Sequence, residues 1–274
     1  FYLNINNRSN CKDFEYISFL INAKTSYIYN NVWYICITLL IYKCVSDNRM
    51  RTTVKKILPY ILTCLLVISF WKLWTWTDNY AFNPHGKELL MLDIALTSIF
   101  IYKTIFWLVI ANLTVLTIQK YRFRNYKISG IVFSLTLLFY FLAGKYVNKQ
   151  CASHYYSVFI NQSTMEEQLT RPILEAGYQI GPIITENIAD KEMKYRLYAI
   201  GGLEKLKYKP AIPTLTKILL DKSEIDVIRA DSFQALASFD TDETRKIISA
   251  FRQQANDTLN KKVNDYADYW TKHK

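Results

Sequence analysis

The chain has 274 residues, 51% of them hydrophobic and 15% aromatic, and a formal net charge of +11. Residues 1–150 hold 17 Lys and Arg against 6 Asp and Glu, whereas residues 151–274 hold 17 against 17. The whole cationic excess thus lies among long apolar runs, in the short connections between them. That excludes nucleic acid as its meaning, because phosphate-binding patches on a soluble protein need solvent around them.

In chain order, residues 1–25 form a polar lead-in whose one apolar patch is too short to cross a bilayer. The chain opens on Phe1 rather than Met, which leaves a removed leader or a preceding segment open. A membrane domain is expected over 26–150, with four spans at 26–45, 57–76, 89–118 and 128–147, each having the ~20 residues needed to cross ~30 Å of hydrocarbon. The third is longer than necessary and should tilt or project. Buried helices of a large soluble protein are the competing explanation, and the polar segments are too few to cover such a core.

The connections alternate in charge. Lys43, Arg49, Arg51, Lys55 and Lys56 face only Asp47 before the second span, Asp78 and Glu88 outweigh Lys87 before the third, and residues 119–127 (QKYRFRNYK) carry four cations and no acid. Short loops rich in Lys and Arg stay cytoplasmic, so 119–127 is expected inside and 78–88 outside. Everything beyond the fourth span is then extracytoplasmic, as for a protein of the inner cell membrane with a periplasmic C-terminal domain.

Charged residues within spans are functional candidates. Lys72 and Asp93 are each expected a turn or so below the outer ends of their spans, close enough to pair, and Lys103 is expected near mid-membrane. A stripe of Asp93, Thr97, Thr104 and Ala111 falls on one helical face, and Gly130 and Ser134 repeat the small-residue spacing in the fourth span; such residues usually face neighbouring helices. Of the five cysteines, Cys11 and Cys151 are both expected outside and near the membrane, where an oxidising compartment would permit a disulfide between them. No C-x-x-C, H-E-x-x-H, G-x-S-x-G, P-loop or dinucleotide fingerprint occurs, and His85, His154 and His273 share no ligand spacing, so no catalytic, cofactor or metal residue is assigned.

After a linker at 151–163 the pattern changes to short amphipathic helices over 164–274, expected at 164–178, 181–189, 191–207, 210–220, 224–239, 241–254 and 257–270. Two of them align at an offset of 33: Arg196, Ala199, Leu203 and Leu206 correspond to Arg229, Ser232, Leu236 and Phe239. A helix-pair period of that length indicates an α-solenoid, in which each hairpin buries its apolar face only by stacking on the next. Tyr266, Tyr269 and Trp270 could seal the last hairpin or anchor a partner.

The run from Arg196 to Leu206, followed by the A-I-P-x-L of Ala211 to Leu215, resembles HEAT-like repeats of the phycobilisome-lyase type. The resemblance covers about 164–270 and is carried by one well-matched unit. It implies a curved surface for a protein partner. The expected fold is therefore all-α, a four-helix transmembrane bundle followed by a short HEAT-like solenoid. The expected role is a multi-pass scaffold or accessory subunit that contacts the lipid bilayer and a protein partner, in a larger membrane complex. The alternatives are a membrane-resident immunity or inhibitor protein against a toxin, a small transporter or channel subunit using Lys72, Asp93 and Lys103, and an interfacial enzyme using His85 and Asp78.

Overall fold

The structure, a computed structural model, describes residues 51–81, 84–253, 260–265 and 268. The chain divides into two compact units, Phe1–Leu62 and Thr63–Lys274. The lead-in and the expected span at 26–45 lie outside the described residues. Every regular element among the described residues is helical, and their only β contact is an isolated bridge between Ala81 and Ser163.

Three helices are long and apolar enough to cross a membrane: α1 (Arg51–Trp74), α2 (Lys87–Arg122) and α3 (Tyr126–Asn161). They match the expected spans at 57–76, 89–118 and 128–147. Continuous runs of Leu, Ile, Val, Phe and Trp make them helices, because a helix satisfies every interior backbone group within itself and can therefore stand in hydrocarbon. Their outward faces carry large apolar side chains such as Leu66, Phe70, Phe133, Phe141 and Leu142, as a lipid-facing surface requires.

Helices α2 and α3 form an antiparallel hairpin of two 36-residue arms, each about 54 Å long at 1.5 Å per residue. Residues 119–127 are not the loop expected from their charge. Both helices run into that stretch, and only 123–125 turn the chain. There the Phe123 amide donates to the Gln119 carbonyl, the Asn125 amide donates to the Lys120 carbonyl, and Arg124 takes a left-handed conformation (φ 61°). Lys120 and Arg122 occupy the last turn of α2, where a cation complements the helix dipole.

The packed face of the hairpin is not the polar stripe. Asp93 and Thr97 are exposed, as are Gly130 and Ser134, while Thr104 is buried. The buried side of α2 is Leu92, Ala95, Leu96, Ile99 and Phe106. The Phe106 ring lies over Gly144 of α3, where an added Cβ would sit 3.4 Å from it. Nearer the turn, the Ser129 hydroxyl donates to the Thr117 carbonyl at 3.0 Å. Ser129 rather than Gly130 points at α2, so the packed face lies one residue out of register with the Gly130 and Ser134 spacing.

The stretch 151–163 is not a linker. Helix α3 continues unbroken to Asn161, and Cys151, Ala152, Tyr155, Val158 and Phe159 enter the same core as the helices that follow. Those helices are α4 (Arg171–Ala176), α5 (Gly181–Asn187), α6 (Arg196–Lys205), α7 (Ile212–Leu220), α8 (Asp226–Phe239) and α9 (Asp242–Gln253). The helix expected at 164–178 is broken into a 3-10 turn (Glu166–Gln168), α4 and a second 3-10 turn (Gly177–Ile180). Pro172 starts α4, and Gly177 at φ 66° ends it. The helix expected at 191–207 begins only at Arg196, since Tyr195 is left-handed (φ 59°).

Two glycines allow close approach in this region. A Cβ at Gly202 would lie 2.8 Å from the Ile173 side chain, and one at Gly181 would run into the Tyr208 ring. Both neighbours are themselves buried, so neither can swing away.

Candidate functional site

The helices that follow α3 are held from inside by two arginines, Arg196 and Arg229. Arg196, at the start of α6, donates from Nε to the Ile188 carbonyl at the end of α5 (2.7 Å) and from Nη1 to Glu224 Oε2 (2.6 Å). Arg229, in the first turn of α8, donates from Nε to the Leu219 carbonyl at the end of α7 (2.9 Å) and from Nη2 to Asn260 Oδ1 (2.6 Å). Each guanidinium thus takes up a carbonyl that its helix end leaves unbonded, and then reaches a side chain from further along the chain. Arg229 has no exposed surface and its cation lies over the Phe251 ring at 5.8 Å. The other aligned residues, Ala199, Leu203, Ser232, Leu236 and Phe239, are buried beside them, whereas Leu206 is only partly buried.

The spans and these helices meet around Tyr80, which is 1% exposed. The Trp74 ring packs edge-on against both Tyr80 and Tyr155, and the Ser163 amide donates to the Tyr80 carbonyl at 2.9 Å. Arg171 lies over the Tyr80 ring at 5.7 Å and pairs with Glu175 at 2.7 Å. Burial pushes the Glu175 carboxyl above the ordinary carboxylate range, against the opposing pull of its Arg171 bond. Burial likewise pushes the Tyr80 phenol well above its usual value, with the Glu175 charge adding to it. Outside the core, Lys194 bridges to Glu88 at 3.1 Å, and the Tyr195 hydroxyl donates to the Gln162 carbonyl at 3.0 Å. Asp221, held by Lys191 and by the amide and hydroxyl of Ser223, stays far below the usual carboxylate range.

Lys72 and Asp93 are not brought together. Asp93 accepts a hydrogen bond from Thr77 at 2.9 Å, and Lys72 sits 5.9 Å from the centre of the Phe100 ring. Lys103 donates to Asn148 Oδ1 on α3. Cys151 is a fully buried free thiol, while Cys11 lies outside the described residues, as do Tyr266, Tyr269 and Trp270. His85 is exposed in the loop before α2. Among the described residues no group of three His, Cys, Asp or Glu could hold a metal ion.

Sequence reasoning missed Tyr80, Glu224 and Asn260. Only Glu224 carried a signal, being an acid just ahead of an amphipathic helix and one repeat length from the 191–195 segment. The arrangement as a whole fixes helices α4–α9 to one another and to the α2–α3 hairpin. No family model, curated protein or solved structure matches the chain.

Proposed function

We propose that this protein is a multi-pass membrane anchor that presents a short solenoid of stacked helix pairs to a protein partner, as a scaffold or accessory subunit of a larger membrane assembly. The observation that carries this reading is the pair of arginine clamps at Arg196 and Arg229. They place one hydrogen-bonding device at one repeat interval inside the stack, which leaves the outward faces of the helices to a partner. The continuity of α3 supports it too, because a domain carried on the end of a rigid helix is held at a set height above the bilayer.

The cation distribution supports an extracytoplasmic position for the helical domain. The end of the hairpin at 120–127 carries Lys120, Arg122, Arg124 and Lys127 with no acid, whereas at the end that carries the helical domain Lys72, Lys87, Lys103, Lys145 and Lys149 are partly offset by Asp78, Glu88 and Asp93, which leaves the smaller net positive charge there. Transport is the weaker reading, since Lys72, Asp93 and Lys103 each have a separate neighbour rather than a shared path.

The test is solubilisation in mild detergent followed by identification of what copurifies with the intact chain. A stoichiometric protein partner lost when surface residues of α7 and α9 are charge-reversed supports the proposal; recovery as a lone monomer overturns it. An impermeant label that reaches Tyr121→Cys from outside intact cells would reverse the orientation.

A further inference from the structure

The cations of the three apolar helices are spaced at about the thickness of a bilayer's hydrocarbon. In α2 they are Lys87 at its start, then Lys103, then Lys120 and Arg122; in α3, Lys127, then Lys145 and Lys149; in α1, Arg51, Lys55 and Lys56 and then Lys72. Lys103 and Arg122 are nineteen positions apart, Lys127 and Lys145 eighteen, and Lys56 and Lys72 sixteen. At 1.5 Å per residue these separations are about 24 to 28 Å, close to the ~30 Å of a bilayer's hydrocarbon.

Contacts bring Lys72, Lys103, Lys145 and Lys149 to one level. Lys103 bonds Asn148, which lies between Lys145 and Lys149 on α3, and Lys72 packs on Phe100, less than one turn from Lys103 on α2. Exposed aromatic rings of Trp76, Tyr102 and Tyr146 stand beside them, as amphipathic rings do at a headgroup layer. The sequence contains no Asp or Glu between Asp93 and Glu166 and none from Arg51 to Trp74. Among the described residues Lys72, Lys145 and Lys149 are exposed and join no ion pair. Lys72, Lys145 and Lys149, at the edge of an apolar surface, thus lack protein counter-charge, and long ammonium side chains at such an edge reach out of hydrocarbon to the interface. Lys103, half-buried and bonded to Asn148 with the Glu175 carboxylate nearby, marks their level.

We infer that Lys72, Lys145 and Lys149 form a belt, at the level of Lys103, that binds the phosphates of an anionic phospholipid leaflet on the side carrying the helical domain. Lys103 then stands at the hydrocarbon boundary rather than at mid-membrane. The arms of the hairpin beyond it, 87–102 and 146–161, lie outside the hydrocarbon, where their buried faces form the floor of the extramembrane core. This inference rests on the embedding of the three helices and is independent of any protein partner.

Amine acylation of the full chain, read lysine by lysine by mass spectrometry, tests it. The chain is reconstituted in phosphatidylcholine vesicles with and without phosphatidylglycerol. Lys72, Lys145 and Lys149 are expected to lose about threefold or more of their reactivity when phosphatidylglycerol is present and to regain it at high salt. Lys209, Lys217 and Lys246 of the helical domain should not change. Protection confined to Lys120 and Lys127 overturns the belt and leaves the embedding intact, whereas protection of no span lysine overturns both. Equal protection by inorganic phosphate in detergent assigns the site to the free anion and overturns the lipid assignment.

Discussion

The hairpin arms within the proposed hydrocarbon layer and the short helices above it draw on many of the same residues, yet they cohere by opposite means. The hairpin turns Phe133, Leu138 and Phe141 outward and packs through Gly144, Ser129 and Thr136. The short helices bury Ile173, Ile184, Ile200, Leu215 and Leu236 and place two arginines among them. In hydrocarbon, apolar burial drives nothing, so association depends on close backbone approach and local hydrogen bonds. In water, burial dominates, and a buried charge is tolerated only when its bonds are made.

That contrast can be broken most severely at the arginines. Arg229→Ala leaves the Leu219 carbonyl without its donor and removes the bond to Asn260, and Arg196→Ala strands the buried Glu224 carboxylate. Each is expected to destabilise the extramembrane region by about 3–5 kcal/mol, visible as loss of its thermal transition while the spans still insert. Survival of that transition would show that the clamps are dispensable.

Glycine substitutions sharpen the comparison at intermediate size. Gly181→Ala and Gly202→Ala force a methyl group into Tyr208 and Ile173, and the expected cost is about 1–3 kcal/mol each. Gly144→Ala meets Phe106 at ordinary contact distance and should change stability by less than about 0.5 kcal/mol. Chemical denaturation in matched micelles ranks the three, and a Gly144 effect as large as that of Gly202 would erase the distinction between the regions.

These outcomes bear on what was legible beforehand. Hydropathy located α1, α2 and α3 because a span must be uniformly apolar, and the offset of 33 picked out Arg196 and Arg229, each of which bonds a carbonyl at the end of the preceding helix. The depth of Lys103 was not legible. The arms of the hairpin stay apolar beyond the proposed hydrocarbon layer in order to enter a protein core, and hydropathy does not distinguish lipid from protein interior. The break at Gly177 and the late start of α6 escaped for a different reason: both follow from backbone angles set by tertiary packing. Asn260 was unreadable because its bond to Arg229 spans 31 positions of sequence.

A smaller effect concerns pH. The Glu175 carboxyl is raised above its unfolded value, so the folded state binds its proton more tightly, and that contribution is present at low pH. It is lost as pH rises from the ordinary carboxylate range through the folded value. Glu175→Gln should flatten this part of the stability profile. A profile that climbs with pH through that range, and loses its climb in the variant, would reverse the sign.

The least effect is expected at the surface. Lys194→Ala removes an exposed bridge to Glu88 and should cost no more than about 0.5–1 kcal/mol; a larger loss would mean that this contact, rather than the Tyr80 core, holds the helical domain to the hairpin.

The unbroken course of α3 from Tyr126 to Asn161 has a mechanical consequence. A helix without a joint transmits torque. If α3 rotates or tilts, the helices seated on its last turns swing with it through the same angle. Flexible tethers filter such movements out, whereas this one works as a crankshaft.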